Sequence, residues 1–360
     1  MKAVALYREI TNPKTIHSKT TIMLGNLAEN TETTAARGQL VDIDIAVPAP
    51  GPHDLLVRVV ATAVGPLDCE LRHAPGSNGI ARILGWDGAG VVEAVGSAVT
   101  LFAPGDRVYY AGAIDRPGSN AELQLVDERL AGHMPQSLLF GEAAALPLSA
   151  IAAWEVLFHR LGIDCEGGDR GKRLLVIGGA GGVGSIATQL AEKLGRLEVI
   201  ATASRQESTQ WCRRNGADHV IDHRGDLVAQ LHELDIADVD YIACFRNLEQ
   251  HLPGMLQLIR SRGAMISTVP YAGPLPLAQL QASNATLGWE FPLTHMQPQT
   301  LRSQRHHRIL NRVAAWIDSD RLATTATTEL RGINAANLRS AHALQEAGHA
   351  IGKIVVSGFH

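Results

Sequence analysis

Cysteine is scarce in this chain of 360 residues. Only Cys69, Cys165, Cys212 and Cys244 occur, with no C-x-x-C and no paired spacing, so they read as isolated thiols of a reducing compartment rather than a disulfide framework. An excess of either charge is also missing. With 32 basic and 36 acidic residues there is no electrostatic case for nucleic acid or an anionic membrane as partner. Long apolar runs do not stand out: Met1 to Leu6 is too short for a signal peptide, and no window reads as a membrane span. A cytoplasmic protein is expected. Internal repeats and low-complexity segments are absent too.

What is present is a chain long enough for two domains with real cores, organised around one stretch, Arg173 to Gly195. Leu174 to Ile177 is a short apolar run bounded by glycine, as expected of a parallel strand covered on both faces. Val183, Ile186, Ala187, Leu190, Ala191 and Leu194 then recur at helical spacing. Between them Gly179, Gly181 and Gly184 satisfy G-x-G-x-x-G, with Gly182 and Val183 inside the motif. Such glycines permit a tight turn, close approach of backbone to a pyrophosphate, and close helix–strand contact. The helix N-terminus offers free N–H groups to the same anion. Strand, turn and helix together predict a dinucleotide site.

The rest of the chain divides by texture. Up to about residue 140 it shows short β segments (residues 1–10, Leu40–Ala46, Asp54–Ala63, Ile83–Val99, Phe102–Tyr110) separated by turns, with a polar passage from Thr11 to Gly38. That pattern predicts a barrel-like antiparallel domain. A helix-rich stretch from Phe140 to Phe158 follows. Beyond the glycine turn, strands are expected at Leu197–Ala203, His219–Asp222, Asp240–Cys244, Ala264–Val269 and Ala285–Phe291. Helices are expected at Glu207–Asn215, Leu227–Leu234 and Leu252–Arg260. This β-α alternation is that of a doubly wound parallel sheet. Helices at Thr300–Ser319 and Asn334–Glu346, with a polar loop between them, lead to a closing strand at Lys353 that is expected to return to the first domain.

Four passages, Gly85–Gly96, Pro104–Val108, Gly178–Ala191 and Gly348–Val356, resemble the medium-chain dehydrogenase/reductase superfamily. The likeness is to its quinone oxidoreductase-like branch and the zinc-type alcohol dehydrogenase-like subgroup. The resemblance implies an α/β fold: a central Rossmann domain (146–295) and a β-rich GroES-like catalytic domain from both chain ends (1–145 and 296–360). A homodimer is the usual family arrangement.

Zinc-dependent relatives carry Gly-His-Glu where this chain has Gly85-Trp86-Asp87, and an indole cannot bind zinc. The position of a second ligand, usually cysteine, falls on Gly65. No catalytic metal is therefore expected. His306-His307, the densest histidine pair, reads as a solvated basic patch.

Asp68 is either a polar residue at the mouth of the active site or a turn-capping carboxylate. Trp86 is either an apolar wall for a planar substrate or core filling. Tyr109 and Tyr110 end a strand, so one of them faces any given side; Tyr110 is the candidate to orient a carbonyl or donate a proton. The resemblance places Ser149 in a region that lies against the nicotinamide, and Lys353 among the cofactor-binding residues.

An acidic residue about 20 positions past the glycine turn marks NAD specificity. This chain has Ser204 and Arg205 there, a hydroxyl and a guanidinium suited to a 2′-phosphate. The expected function is NADPH-dependent hydride transfer to a quinone or α,β-unsaturated carbonyl, a small-molecule acceptor, without zinc. The alternatives are a non-catalytic NADPH sensor and an ordinary zinc alcohol dehydrogenase.

Overall fold

The computed structural model describes residues 1–7, 38–73, 82–291 and 304–359. Most of the Thr11–Gly38 passage and the start of the Thr300–Ser319 segment lie outside the described residues.

The amino-terminal part is β-rich. β1 (Lys2–Tyr7) pairs antiparallel with β2 (Gln39–Asp44) and, beyond the next long strand β3 (Asp54–Val64), with the short β4 (Arg82–Ile83). Between β3 and β4 stands α1 (Pro66–His73), whose proline occupies a first-turn position that needs no N–H. β5 (Asp87–Val95), β6 (Arg107–Ala111), β7 (Leu123–Asp127) and β8 (Ala131–His133) build a second sheet around β3.

The helix-rich stretch then forms α2 (Phe140–Ala144) and α3 (Pro147–Trp154), which continues in wider turns to Arg160. One continuous helix was expected; it is interrupted at Pro147, which has no N–H to continue the hydrogen-bond ladder of α2 and stands instead at the first position of α3. By length and composition Phe140–Arg160 could cross a bilayer, contrary to the sequence reading, but 78% of its most apolar window is buried. Its alanines and leucines fill the main core between the two halves of the molecule.

β9 (Arg173–Ile177), β10 (Glu198–Thr202), β11 (His219–Ile221), β12 (Val239–Cys244), β13 (Ile259–Ser267) and β14 (Thr286–Trp289) form a six-stranded parallel sheet in the order β11-β10-β9-β12-β13-β14. Strand order reverses between β9 and β12, so the crevice at their carboxyl ends is where this topology receives a ligand. The crossovers are α4 (Gly182–Leu190), α5 (Gln206–Arg214), α6 (Leu227–His232), α7 (Leu248–Leu258) and α8 (Leu277–Ser283).

α9 (Arg305–Asp318) follows, then β15 (Ala326–Arg331), α10 (Ala335–Glu346) and β16 (Lys353–Ser357). β15 replaces the polar loop expected there; its alternation is faint because it lies at the edge of the sheet and is mostly exposed. β16 pairs with β3, carrying the end of the chain back to the amino-terminal β-rich part as expected. α1 was not foreseen, since Gly65-Pro66 reads as a turn.

Candidate functional site

The glycines of the turn after β9 do different jobs. A Cβ on Gly184 would stand 2.2 Å from the carbonyl oxygen of Gly178, and one on Gly179 would stand 2.8 Å from Cβ of Ala201. Both positions are therefore held to glycine by packing, Gly184 against backbone and Gly179 against the Ala201 side chain. At Gly181 such a Cβ would touch only the Gly178 carbonyl oxygen, at an ordinary contact distance of 3.5 Å, so packing leaves room here. Gly181 precedes α4 without a side-chain cap, so the first-turn N–H groups are not taken up by a capping side chain. Val183 packs against the main core behind the turn. The cradle fits a pyrophosphate.

The returning chain closes one side of it. Gly352 donates its N–H to the carbonyl of Ala180 at 2.8 Å and bridges to Gly181. Gly352 has φ of 58°, and a Cβ there would meet the Thr325 carbonyl at 2.3 Å, so no other residue fits. This contact sets the next residue, Lys353, across the first turn of α4: a Cβ on Gly182 would meet Lys353 Cδ at 2.8 Å and Ser149 Oγ at 3.0 Å.

Sheet register decides what Lys353 meets. Val355 pairs with Ala63 and Ala63 with Asp87, so Lys353, two residues before Val355, shares the face of Asp87. Its ammonium donates to Asp87 Oδ2 at 2.7 Å, and both side chains are buried. The other oxygen of Asp87 accepts the Leu148 N–H, also at 2.7 Å, at the start of α3.

Asp68, on α1, completes the group. Its Oδ2 accepts the Gly65 N–H at 2.8 Å, so the turn-capping role is filled, while Oδ1 is buried without a hydrogen-bond partner among the described residues. Burial pushes its carboxyl up to about 6, against the opposing pull of the Lys353 charge and the Gly65 N–H. Asp68, Asp87, Ser149 and Lys353 thus gather beside the glycine cradle.

Trp86 and Tyr110 are not brought to this group, which corrects two expectations. Trp86 is 1% exposed and lies in a core cluster with Val4, Leu6, Leu40 and Leu338, its indole donating to the Ala113 carbonyl at 3.2 Å. Tyr110 pairs with Gly88, and Asp87 with Ala111, so alternation turns the tyrosine to the opposite side from Asp87. Its hydroxyl donates to Gln124 Oε1 at 2.8 Å, and burial raises its pKa. Tyr109 donates to the Leu310 carbonyl. Asp87 was not singled out in advance, although it stands in the very run where relatives carry Gly-His-Glu.

At the far end of the crevice Ser204 and Arg205 follow β10 as expected. Arg205 donates through Nη2 to the His349 carbonyl at 2.7 Å. Arg224, which follows β11, donates to the Ser204 carbonyl at 2.9 Å, and Arg246, which follows β12, to the Gly348 carbonyl at 3.3 Å. Three guanidinium groups thus sit two or three residues past the ends of neighbouring or near-neighbouring strands. That repetition was available in the sequence but shows only once strand ends are known.

The positions of the usual zinc ligands do not fit a catalytic metal. Trp86 is in the core, and a Cβ on Gly65 would stand 3.0 Å from the Lys353 ammonium, so a fixed cation already fills the space a ligand side chain would enter.

Residues 51–145 match the alcohol dehydrogenase GroES-like domain, and residues 215–356 match the zinc-binding dehydrogenase family. With the parallel sheet, the β-rich sheets and the glycine cradle, these matches define a medium-chain dehydrogenase/reductase. Within that superfamily the chain belongs with the zinc-type alcohol dehydrogenase-like proteins: it is 40% identical to one from Staphylococcus aureus (strain MSSA476) over 311 residues, covering 86% of this chain and 92% of the relative. It is also 36% identical over 192 residues to 2-methylene-furan-3-one reductase of Solanum lycopersicum, covering 51% of this chain and 48% of that one. To the quinone oxidoreductase of Homo sapiens it is 34% identical over 183 residues, covering 50% and 53%. Among solved structures, a putative zinc-dependent alcohol dehydrogenase from Rhizobium etli CFN 42 superposes with TM-score 0.86 at 38% identity over 100% of this chain and 98% of that one. A mycobacterial protein complexed with NADPH superposes with TM-score 0.75 at 26% identity over 89% and 95%.

Proposed function

We propose that this oxidoreductase uses NADPH to reduce a quinone or an α,β-unsaturated carbonyl, without a catalytic zinc. The observation that carries the reading is the buried Lys353–Asp87 pair beside Gly65 and the cradle. It sets a fixed positive charge where zinc-dependent relatives keep a ligand, and leaves no Lewis acid to lower the pKa of a simple alcohol. An acceptor that spreads negative charge by conjugation needs less help.

When bound, the reduced nicotinamide supplies the hydride. The chain's own part is placement and charge. The glycine cradle and the α4 N-terminus hold the pyrophosphate, with Gly179, Gly181, Gly182, Val183 and Gly184 shaping the turn. Ser149 and Lys353 lie against its first helical turn, where a hydroxyl and a cation can meet the cofactor and the oxygen on which charge develops. Asp68 offers one uncommitted carboxylate oxygen at the edge of the same group. Arg205, with Ser204 beside it, takes the 2′-phosphate. The NADPH-bound and quinone- or enone-reducing relatives support the same reading. A homodimer in the cytoplasm belongs to it as well.

The test is a reductase assay with purified protein, NADPH and a panel of 1,4-quinones, enones and simple alcohols. Turnover of the conjugated acceptors with little or no ethanol oxidation in the presence of NADP is expected. Tight NADPH binding without turnover on any acceptor would replace the reading with a sensor; metal-free turnover of simple alcohols at rates rivalling the quinones would refute the conjugation argument.

A further inference from the structure

Away from the cofactor crevice, α1 packs against α10. Cys69 and His73 stand one helical turn apart on α1, and His342 and Glu346 one turn apart on α10; residues at that spacing lie one above the other on a helix face. The facing pairs meet. A sulfur of Cys69, a ring nitrogen of His342 and a carboxylate oxygen of Glu346 lie within 4.8 Å of one another, and His73 Nε2 is 2.9 Å from Glu346 Oε1.

His342 makes this more than a chance grouping. It is completely buried, and neither ring nitrogen has a hydrogen-bond partner among the described residues, an arrangement that costs stability unless something ligates the ring. A helix position in an apolar interface would be cheaper to fill with leucine.

We propose that Cys69, His342 and Glu346, with His73 as the fourth donor, form a site for a zinc-class divalent cation that ties α10 to α1. The donor set of one sulfur, two imidazoles and one carboxylate suits tetrahedral zinc and not the all-oxygen preference of magnesium or calcium. Thiolate and carboxylate together balance the ion's charge. Arg72, whose Nη1 is 3.9 Å from Glu346 Oε1, remains in place to hold the carboxylate. Bonds of about 2.0–2.3 Å require the donors to draw together by roughly an ångström, a movement the exposed side chains of His73 and Glu346 can make. The same exposed side leaves an entry path.

Binding a metal requires the Cys69 thiol to release its proton, while the neutral His342 ring can offer a nitrogen lone pair directly. The cation would be structural, since all four positions can be filled by protein. It lies one residue from Asp68, but the assignment does not rest on the reductase reading.

The experiment loads the full-length protein with zinc, removes the excess, and measures metal by elemental analysis, then repeats the loading with cobalt and records the absorption spectrum. About one ion per chain and a thiolate-to-cobalt charge-transfer band are expected. Cys69→Ser should abolish the band, and both Cys69→Ser and Glu346→Gln should weaken affinity roughly 100-fold or more, since loss of even outer-shell partners costs about 10–100-fold. Glu346→Gln lies on the exposed side and is not expected to threaten folding. A folded wild-type protein that retains no metal, cobalt bound without a thiolate band, or affinity unchanged in Cys69→Ser and Glu346→Gln would each overturn the assignment.

Discussion

The glycine cradle and the polar group beside it are joined by a backbone hydrogen bond from Gly352 to Ala180, yet they are built by opposite means. The cradle comes from seven consecutive residues, Gly178–Gly184, and works through backbone: what matters at Gly179 and Gly184 is that no side chain is there. The polar group draws Asp68, Asp87, Ser149 and Lys353 from four separate segments, with the paired charges 266 residues apart in sequence. A site made of backbone resists any added atom. One made of a buried charge pair resists the loss of a single partner but tolerates the loss of both.

That contrast sets the largest expected effect. Lys353→Met leaves Asp87 buried with only the Leu148 N–H to face its charge, and should cost about 3–5 kcal/mol in denaturant unfolding. The double variant Asp87→Asn with Lys353→Met should recover much of that loss, because Asp87 no longer brings an uncompensated charge, with only the weaker pull of Lys353 on Asp68 left unrestored. A single variant within 1 kcal/mol of wild type, or a double variant worse than the single, would break the comparison.

The cradle should answer differently. Gly184→Ala drives a methyl against the Gly178 carbonyl, and no second substitution nearby can relieve a backbone contact. A loss of about 3 kcal/mol in stability, the upper end for overpacking, is expected, with weakened cofactor binding measured by fluorescence titration. Full stability and affinity in this variant would show that the turn can relax and that Gly184 is not required by packing.

The same division explains what could be read before the structure was known. The cradle, the parallel sheet and the return of the last strand follow from local signals: glycine spacing, an apolar run buried on both faces, and β character at residues 353–357. Even so, β15 was missed because an exposed edge strand carries little hydrophobic pattern, and α1 because a glycine-proline pair reads as a turn. Asp87 and Lys353 could not be joined by spacing, since only the register through β3 brings them to one face. Trp86 and Tyr110 failed as site candidates for the same reason in reverse. Their residue types suit a pocket, but alternation along β6 turns Tyr110 away, and Trp86, just ahead of β5, packs into a core cluster.

Arg205 lies between these two kinds of site: a side chain, but carried at the end of a strand that the sequence already locates. Its Nη2 holds the His349 carbonyl, and a guanidinium with five donors can keep that bond while presenting other N–H groups to a phosphate. Arg205→Ala should weaken NADPH by about 1.5–3 kcal/mol, the range for hydrogen bonds to charged groups. NADH separates the two roles of the residue. If the arginine reads the 2′-phosphate, NADH affinity stays nearly unchanged, because that cofactor lacks the group. If its main work is to hold the turn at Gly348–His349, which lies just before the Gly352 contact with the cradle, both cofactors lose affinity together. Calorimetric titration of both cofactors against both proteins decides it, and equal losses would transfer Arg205 from the recognition of phosphate to the support of the cradle.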